Sequence, residues 1–241
     1  MPLDSLAVVD AFDGGFGWRA ASDDSLARTS HALRTDDGLW LLDPLDAPDL
    51  DDVLAERGAG DDATASVAGV AVCAGWHARD AAAVATRYGV PVTVPAGVDR
   101  ALGHLNPPSG VDVDVERVDG RLPGTDVSLH RVSPMGAWIE AVCWRDRDRT
   151  LYVPESFGTA DPFVVGDERL GVIFYARPFP PRDALAEFEP DRVLVGHGDG
   201  VFDDAAAALA DALDGSRRRF PRAVVENGPR AMRNLVAAAL A

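Results

Sequence analysis

The sequence contains few cysteines and no long apolar run, and each shortage excludes a class of protein. Its 241 residues include two cysteines, Cys73 and Cys143, which are too few for a disulfide scaffold. The longest candidate for a membrane span, residues 63–76, is shorter than the roughly 18–20 residues needed. The N-terminus carries Asp4 where a signal peptide has Lys or Arg. We therefore expect a cytoplasmic protein with reduced thiols and no membrane association.

Lysine and glutamine are absent, so all 23 basic residues are arginines. Of the 39 acidic residues 31 are Asp, and the formal net charge is −16. Such a surface repels phosphates, which argues against nucleic acid as a partner. The composition resembles that of haloarchaeal proteins, in which dense carboxylates hold water at high salt; a GC-rich genome is the alternative explanation. The halophilic interpretation predicts that circular dichroism will show a loss of structure at low salt, where charge repulsion is unscreened.

Hydrophobic patterning predicts an α/β fold. Short β-like runs at 31–34 and 39–42 flank Asp36-Asp37-Gly38, a hairpin signal. Residues 14–17 are rich in glycine and indicate a turn. Further predicted strands cover 6–9, 67–73, 90–94, 113–118, 127–132, 139–144, 151–153, 172–175 and 192–195, and predicted helices cover 49–57, 78–88, 183–188, 203–213 and 230–240. This order favours an αββα sandwich of two mixed sheets with outer helices, built as a single domain over residues 1–241.

Three segments, in this chain order, resemble the metallo-β-lactamase superfamily. Residues 30–44 (SHALRTDDGLWLLDP) are similar to the opening hairpin of that family, which ends in Asp. Residues 70–81 (VAVCAGWHARDA) lie where the family has a strand followed by His-x-His-x-Asp-His. Residues 151–155 (LYVPE) and 195–198 (VGHG) resemble the Gly-Asp strand end and the final Gly-His-Gly loop. The resemblance implies the sandwich fold and a hydrolase in which zinc activates water.

Carried over by position, the resemblance implies a degraded metal-binding motif. His77 matches the second His of the motif, whereas Gly75 stands at the first His, Arg79 at the Asp and Asp80 at the last His. The middle ligand of the family would fall near Gly136.

Two further positions keep groups that can bind metal, because Glu155 stands at the bridging Asp and His197 at the final His. The candidate ligands are therefore His77, Asp80, Glu155 and His197, which could hold one zinc, iron or manganese ion. Glu155, His197 and Asp80 are the candidate catalytic residues.

Arg79 favours a reading without metal, because its permanent positive charge would pair with Glu155 or Asp80 inside the cleft. Among the remaining candidates, Asp43 is expected to cap backbone amides and Cys73 to pack in the core. The histidines at 31, 104 and 130 are expected to be structural or surface residues. Trp76 and Trp138 flank the loops that border the pocket and fit either a substrate cleft or core packing.

The segment 203–241 is predicted to be helical and rich in arginine. Six Arg and one acid, Glu226, occur between residues 215 and 241. These arginines are expected to clamp the segment to the acidic body of the protein, the alternative being a dock for an acidic partner. Two functions are open: a single-metal hydrolase of a small molecule, or a non-catalytic binding or structural module without metal.

Overall fold

The computed structural model describes residues 6–20, 26–58, 67–105, 113–136 and 138–228. The strands are β1 (Leu6–Phe12), β2 (Gly15–Ala20), β3 (Thr29–Thr35), β4 (Gly38–Leu42), β5 (Val67–Ala71), β6 (Val92–Pro95), β7 (Val115–Val118), β8 (Val127–Val132), β9 (Glu140–Arg145), β10 (Thr150–Val153), β11 (Phe157–Gly158), β12 (Gly171–Val172) and β13 (Arg192–Val195). The α-helices are α1 (Leu50–Arg57), α2 (Ala81–Tyr88), α3 (Leu102–Leu105), α4 (Arg182–Leu185) and α5 (Ala205–Glu226). None of these helices is both long and apolar enough to cross a bilayer.

Two mixed sheets form the centre of the fold. The first has the order β1-β2-β3-β4-β5-β6-β7, antiparallel up to β4 and parallel from β4 to β7. The second has the order β13-β10-β9-β8, in which β10 runs parallel to β13 and antiparallel to β9. The predicted hairpin of β3 and β4 is confirmed, as is the arrangement of two mixed sheets.

Burial along β10 shows how the layers stack. Tyr152 packs into the core shared with the first sheet, whereas Leu151 and Val153 belong to a second cluster with Leu209 and Leu213 of α5. Alternate side chains of a strand point to opposite faces, so α5 covers the outer face of the second sheet. Helices α1 and α2 contribute their buried residues to the core of the first sheet. The predicted αββα sandwich is therefore confirmed.

Two local predictions are wrong. Residues 15–17 belong to strand β2 instead of a turn, because β3 passes so close that a Cβ on Gly15 would overlap the carbonyl oxygen of Ala32. Residues 174–176 form a 3₁₀ turn, and only the short β12 precedes it.

The C-terminal arginines also lie differently from the prediction. Helix α5 continues through Arg217 and Arg219, beyond residue 213, where the first predicted helix of this segment ends. Arg217 donates to the carbonyl of Pro178, and Arg219 pairs with Asp211 of its own helix at 2.9 Å. The Pro178 contact, and a 3.6 Å pair of Arg219 with Glu168, join the helix to the rest of the protein, whereas the Asp211 pair lies within the helix. The predicted helix at 230–240 lies outside the described residues.

Candidate metal centre

Four strands deliver polar side chains to one edge of the sandwich. Asp43 follows β4, the 3₁₀ turn Gly75–His77 follows β5, Glu155 follows β10, and His197 follows β13. Strands β4 and β5 are parallel, as are β10 and β13, so the carboxyl ends of each pair meet at the same edge. This topology gathers residues that are far apart in the chain, such as His77 and His197, which are separated by 120 residues.

Three of the predicted ligands converge. His77, Glu155 and His197 each offer one ligand atom, and these atoms lie within 4.8 Å of one another. His77 Nε2 lies 2.9 Å from Glu155 Oε1, and His197 Nε2 lies 3.5 Å from Glu155 Oε2. The two Nε2 atoms are 3.3 Å apart. All three residues are buried, so their polar atoms face one another and not bulk solvent.

The outward-facing nitrogen of each imidazole is held by a partner. His197 Nδ1 lies 3.0 Å from the carbonyl oxygen of Leu26, which only a protonated nitrogen can satisfy. His77 Nδ1 lies 3.3 Å from Oδ2 of Asp43. The Nε2 atoms of both rings therefore face Glu155, and binding a metal there would require the proton between His77 and Glu155 to leave.

The charges of the cluster depend on one another. Burial has the largest effect on the pKa of His77 and lowers it, but the carboxylates of Glu155 and Asp43 together outweigh burial and raise this pKa to about 9. Burial likewise opposes the charge of Glu155, yet electrostatic interaction and hydrogen bonding with the imidazoles of His77 and His197 hold the pKa of Glu155 well below its usual value. Three converging acceptors require a positive charge among them, and either a proton or a metal ion supplies it.

Asp43 supports the cluster from beneath, and its predicted role as a cap of backbone amides is confirmed. Its Oδ1 accepts hydrogen bonds from the amides of Cys73 and Ala74 at 2.8 and 3.3 Å. Its Oδ2 accepts the hydroxyl of Tyr152 at 2.7 Å. Arg28 donates to the carbonyls of Asp43 and His77, so a guanidinium lies next to this carboxylate.

Glu140 holds the other ligand loop. Its Oε2 accepts the backbone amides of Glu155 and Ser156 at 2.7 and 3.1 Å, and the residue is fully buried. Burial raises the pKa of Glu140 to about 7, although these hydrogen bonds favour the charged form. Sequence reasoning missed Arg28, Tyr152 and Glu140; the one available signal was an acidic residue at the start of an apolar strand.

Close packing fixes His197. A Cβ on Gly196 would overlap the carbonyl oxygen of Pro154 and lie 2.9 Å from Cε1 of His77, so only glycine lets these loops approach. Phe163 stacks on the His197 ring at a centroid distance of 5.1 Å. The ring of His197 is therefore held on its face and at its Nδ1.

Asp80 lies outside the cluster of three donors, and the predicted pairing of Arg79 with Asp80 is present but not inside the cleft. Asp80 does not join the three converging ligands; its Oδ1 accepts a hydrogen bond from Arg79 Nε at 2.9 Å. The side chain of Arg79 is 71% exposed, so it does not occupy the cleft or replace a metal. The adjacent Asp80 offers a partner at the surface, and pairing there avoids the cost of burying a guanidinium.

The two glycines at ligand positions differ in their surroundings. A Cβ on Gly75 would lie 2.7 Å from Cβ of Arg100, so the stem of Arg100 fills the space beside Gly75. At Gly136 no atom of the described residues lies within 4 Å of such a Cβ, although the φ of +67° disfavours other residues.

The remaining sequence candidates are structural, as predicted. His31 is fully buried beside Tyr152, with Nε2 3.0 Å from the carbonyl of Val195, and burial lowers its pKa to about 4. His130 packs on the ring of Phe188, and His104 is exposed. Cys73 is buried with its Sγ 3.6 Å from that of Cys143, and both thiols are free.

Solved structures that are similar to this chain include metallo-β-lactamases and a putative diflavin flavoprotein from Nostoc sp., which superposes with a TM-score of 0.59 at 14% identity, covering 91% of this chain and 99% of that one. The metallo-β-lactamase DIM-1 exposed to ceftazidime superposes with a TM-score of 0.59 at 10% identity, covering 90% of this chain and 100% of that one. A metallo-β-lactamase from Pontibacter korlensis gives 0.58 at 13%, covering 87% and 99%, and one from Hirschia baltica gives 0.58 at 9%, covering 90% and 98%. No protein-family model matches the sequence, and no curated protein does.

These superpositions and the two-sheet topology define the class: the chain has the metallo-β-lactamase fold. At identities of 9–14% the likeness extends to the fold alone. The donor set of this chain fits a metal ion on its own chemistry, because two inward-facing imidazole nitrogens and one carboxylate converge.

Proposed function

We propose that this protein is a hydrolase of a small molecule that uses a single divalent ion, zinc, held by His77, Glu155 and His197. One observation carries the proposal: three buried donor atoms lie within 4.8 Å of one another at the carboxyl ends of paired strands. Two His and one Glu form a ligand set of catalytic zinc sites that keep one position open. An ion bound there would supply Lewis-acid chemistry, polarising a carbonyl and lowering the pKa of water.

The residues of the chain divide the remaining work. His77 and His197 direct neutral nitrogens inward because Asp43 and the Leu26 carbonyl lie against their other nitrogens. Glu140 fixes the backbone that carries Glu155. An ester or amide of a small molecule is the proposed substrate, and a reducing, cytoplasmic location is proposed from the two free thiols.

A non-catalytic module without metal is the second candidate, and a specific contact favours it. His77 and Glu155 form an ion pair at 2.9 Å when His77 carries a proton, and this pair alone neutralises the cluster. Metal and proton compete for the same nitrogen, so metal content separates the two functions.

The test is metal analysis of protein purified without chelator, combined with zinc titration of the metal-free protein. We expect about one zinc per chain, and we expect His197→Ala to abolish it while circular dichroism stays unchanged. His130→Ala is the matched control, because that imidazole packs on Phe188 away from the cluster. Zinc-dependent hydrolysis of a panel of simple esters and amides completes the test. No metal binding at micromolar zinc would favour the module, and metal without hydrolysis would contradict the enzyme.

A further inference from the structure

Beside the cluster, three aromatic side chains pack against one another. The ring centroids of Trp76 and Trp138 are 6.2 Å apart, with an interplanar angle of 72°. Those of Trp138 and Tyr175 are 5.3 Å apart, with an angle of 88°. Trp76 is 39% exposed, and the other two rings are half-buried. A row of this kind that reaches the surface differs from a core, in which aromatic residues are buried on all sides.

Backbone contacts tie each ring to the metal centre. Trp76 immediately precedes His77 in one 3₁₀ turn, with its ring on the outer side while His77 is buried. The segment that carries Trp138 joins the loop before that turn, because Ala141 N donates to the carbonyl of Cys73 at 2.8 Å. Tyr175 follows Ile173, whose amide donates to the carbonyl of Ser156, next to Glu155.

Electrostatics agree with this placement of Tyr175. Burial and then the negative charges of Glu155 and Glu140 raise the pKa of the Tyr175 phenol, so its ring lies within electrostatic range of both carboxylates. The row therefore leads from the surface at Trp76 to the neighbourhood of Glu155.

Two polar features of the row have no partner among the described residues. The indole Nε1 of Trp138 is shielded from solvent but has no hydrogen-bond acceptor there, which costs free energy unless a ligand supplies one. The guanidinium of Arg100 lies 4.7 Å from the Trp76 ring centroid, and in the described part of the chain no carboxylate forms a salt bridge with it.

We propose that Trp76, Trp138 and Tyr175 form a subsite for a flat aromatic group of the substrate, and that Arg100 binds an anionic group on that ligand. Because neighbouring rings are nearly perpendicular, a flat ligand can stack on the face of one ring and meet the edge of the next. Aromatic groups prefer these offset-stacked and edge-to-face arrangements. The substrate class is then an ester or amide of an aromatic, negatively charged molecule. This assignment rests on the proposed function for the chemistry, but the binding itself does not require a metal.

The binding test uses 2-naphthoate as the probe and calorimetric titration of metal-free protein in chelator. We expect 2-naphthoate to bind at least about tenfold more tightly than cyclohexanecarboxylate, which has the charge but no flat ring. Trp138→Leu should weaken 2-naphthoate about tenfold, and Arg100→Ala should weaken 2-naphthoate but not neutral 2-naphthol. Trp144→Leu is the matched control, because that half-buried indole packs on Phe188. Near-UV and far-UV circular dichroism report whether each variant is folded, and Trp138→Phe, which keeps a ring, replaces Trp138→Leu if the latter unfolds.

Equal binding of the two carboxylates, or unchanged 2-naphthoate binding in the folded Trp138 variant, would overturn the subsite. A catalytic measurement separates this failure from a failure of the proposed function. With zinc-loaded protein, Trp138→Leu should raise KM for 2-naphthyl acetate about tenfold while kcat and the hydrolysis of methyl acetate change little. If zinc does not bind, the proposed function fails while 2-naphthoate binding to metal-free protein still stands.

Discussion

Two sets of positions at this edge of the sandwich are built differently. One set is the three converging donor residues, and the other is the four positions at which no donor joins them. His77, Glu155 and His197 are buried and face inward, and hydrogen-bonded groups support them from behind. The other four positions differ from these. Gly75 lies against the stem of Arg100, Arg79 is exposed and pairs with Asp80, and Gly136 has no described atom within 4 Å of where its Cβ would be. The comparison teaches that three donor side chains can converge without donors at the neighbouring positions, because their support comes from the strands and loops beneath them.

The sharpest way to break this comparison is to remove the support beneath His77. Asp43→Ala leaves the amides of Cys73 and Ala74 and the Tyr152 hydroxyl without their acceptor. It also removes the stronger of the two carboxylate interactions that balance the buried Arg28 guanidinium, the other being with Asp80. We expect a loss of about 3–5 kcal/mol in the free energy of unfolding, measured by denaturant titration. The matched control, Asp80→Ala, removes a carboxylate bound to an exposed arginine and should cost about 1 kcal/mol or less. Equal losses would show that the two regions do not differ.

A pH titration of stability tests the charge that the cluster needs. In the metal-free protein the pKa of His77 is raised from 6.5 to about 9, so the folded state binds the proton more tightly than the unfolded state. The stabilisation is complete below pH 6.5 and is lost as the pH rises through 9, by roughly 3 kcal/mol at about 1.36 kcal/mol per pKa unit. Denaturant titrations between pH 6 and 9.5 in chelator measure this loss, and His77→Gln should remove it. Zinc affinity should rise over the same interval, because the metal displaces the proton. A flat profile in both experiments would contradict the assigned charge.

A histidine placed at Gly75, where the resembled family has its first His, tests whether the space beside this position is filled. Gly75→His should cost about 1–3 kcal/mol of stability and should not add a second zinc, because its Cβ would press on the stem of Arg100. Pairing it with Arg100→Ala should recover part of the loss. Thermal unfolding and metal analysis provide the readouts, and two zinc ions bound by the single variant would refute the account.

The smallest expected effect is that of Arg79→Ala. Since this side chain is 71% exposed and pairs with its sequence neighbour, its removal should change the free energy of unfolding by under about 1 kcal/mol. Zinc content should also stay unchanged. A loss of several kcal/mol in the free energy of unfolding would place the Arg79 guanidinium in the cleft, as the sequence hypothesis predicted.

Much of the architecture was accessible from the sequence because periodicity and turn chemistry act locally. The β3–β4 hairpin follows from its Asp-Asp-Gly turn, and α2 ends at Gly89, which has the left-handed φ of 66° typical of a helix stop. Strand β2 was not predicted, because its glycines are required by the close approach of β3, which local sequence does not reveal. Helix α5 ran past its predicted end because Gly215 and Ser216 are buried, and Ser216 Oγ donates to the carbonyl of Arg177.

The candidate site could be predicted residue by residue only where strands fix the geometry. Glu155 and His197 follow paired strands, and the structure brings them together with His77. Arg79 and Asp80 lie between a 3₁₀ turn and a helix, where the sequence does not determine the direction of a side chain. The hypothesis that Arg79 is a buried cation is wrong, because its side chain is exposed and pairs with the carboxylate of the adjacent Asp80.

The parallel pairing of β10 with β13 has a consequence for the order of folding. Val153 and Val195 are partners in register, and the ligands follow each of them by two residues. Contacts this distant in sequence form late, after the intervening chain has been made and the loop entropy has been spent. A growing chain on the ribosome would therefore present His77 and Glu155 long before it could capture a metal. Under the proposed function, the ion is captured only after β13 has paired with β10, so metal uptake would report the formation of this strand pair.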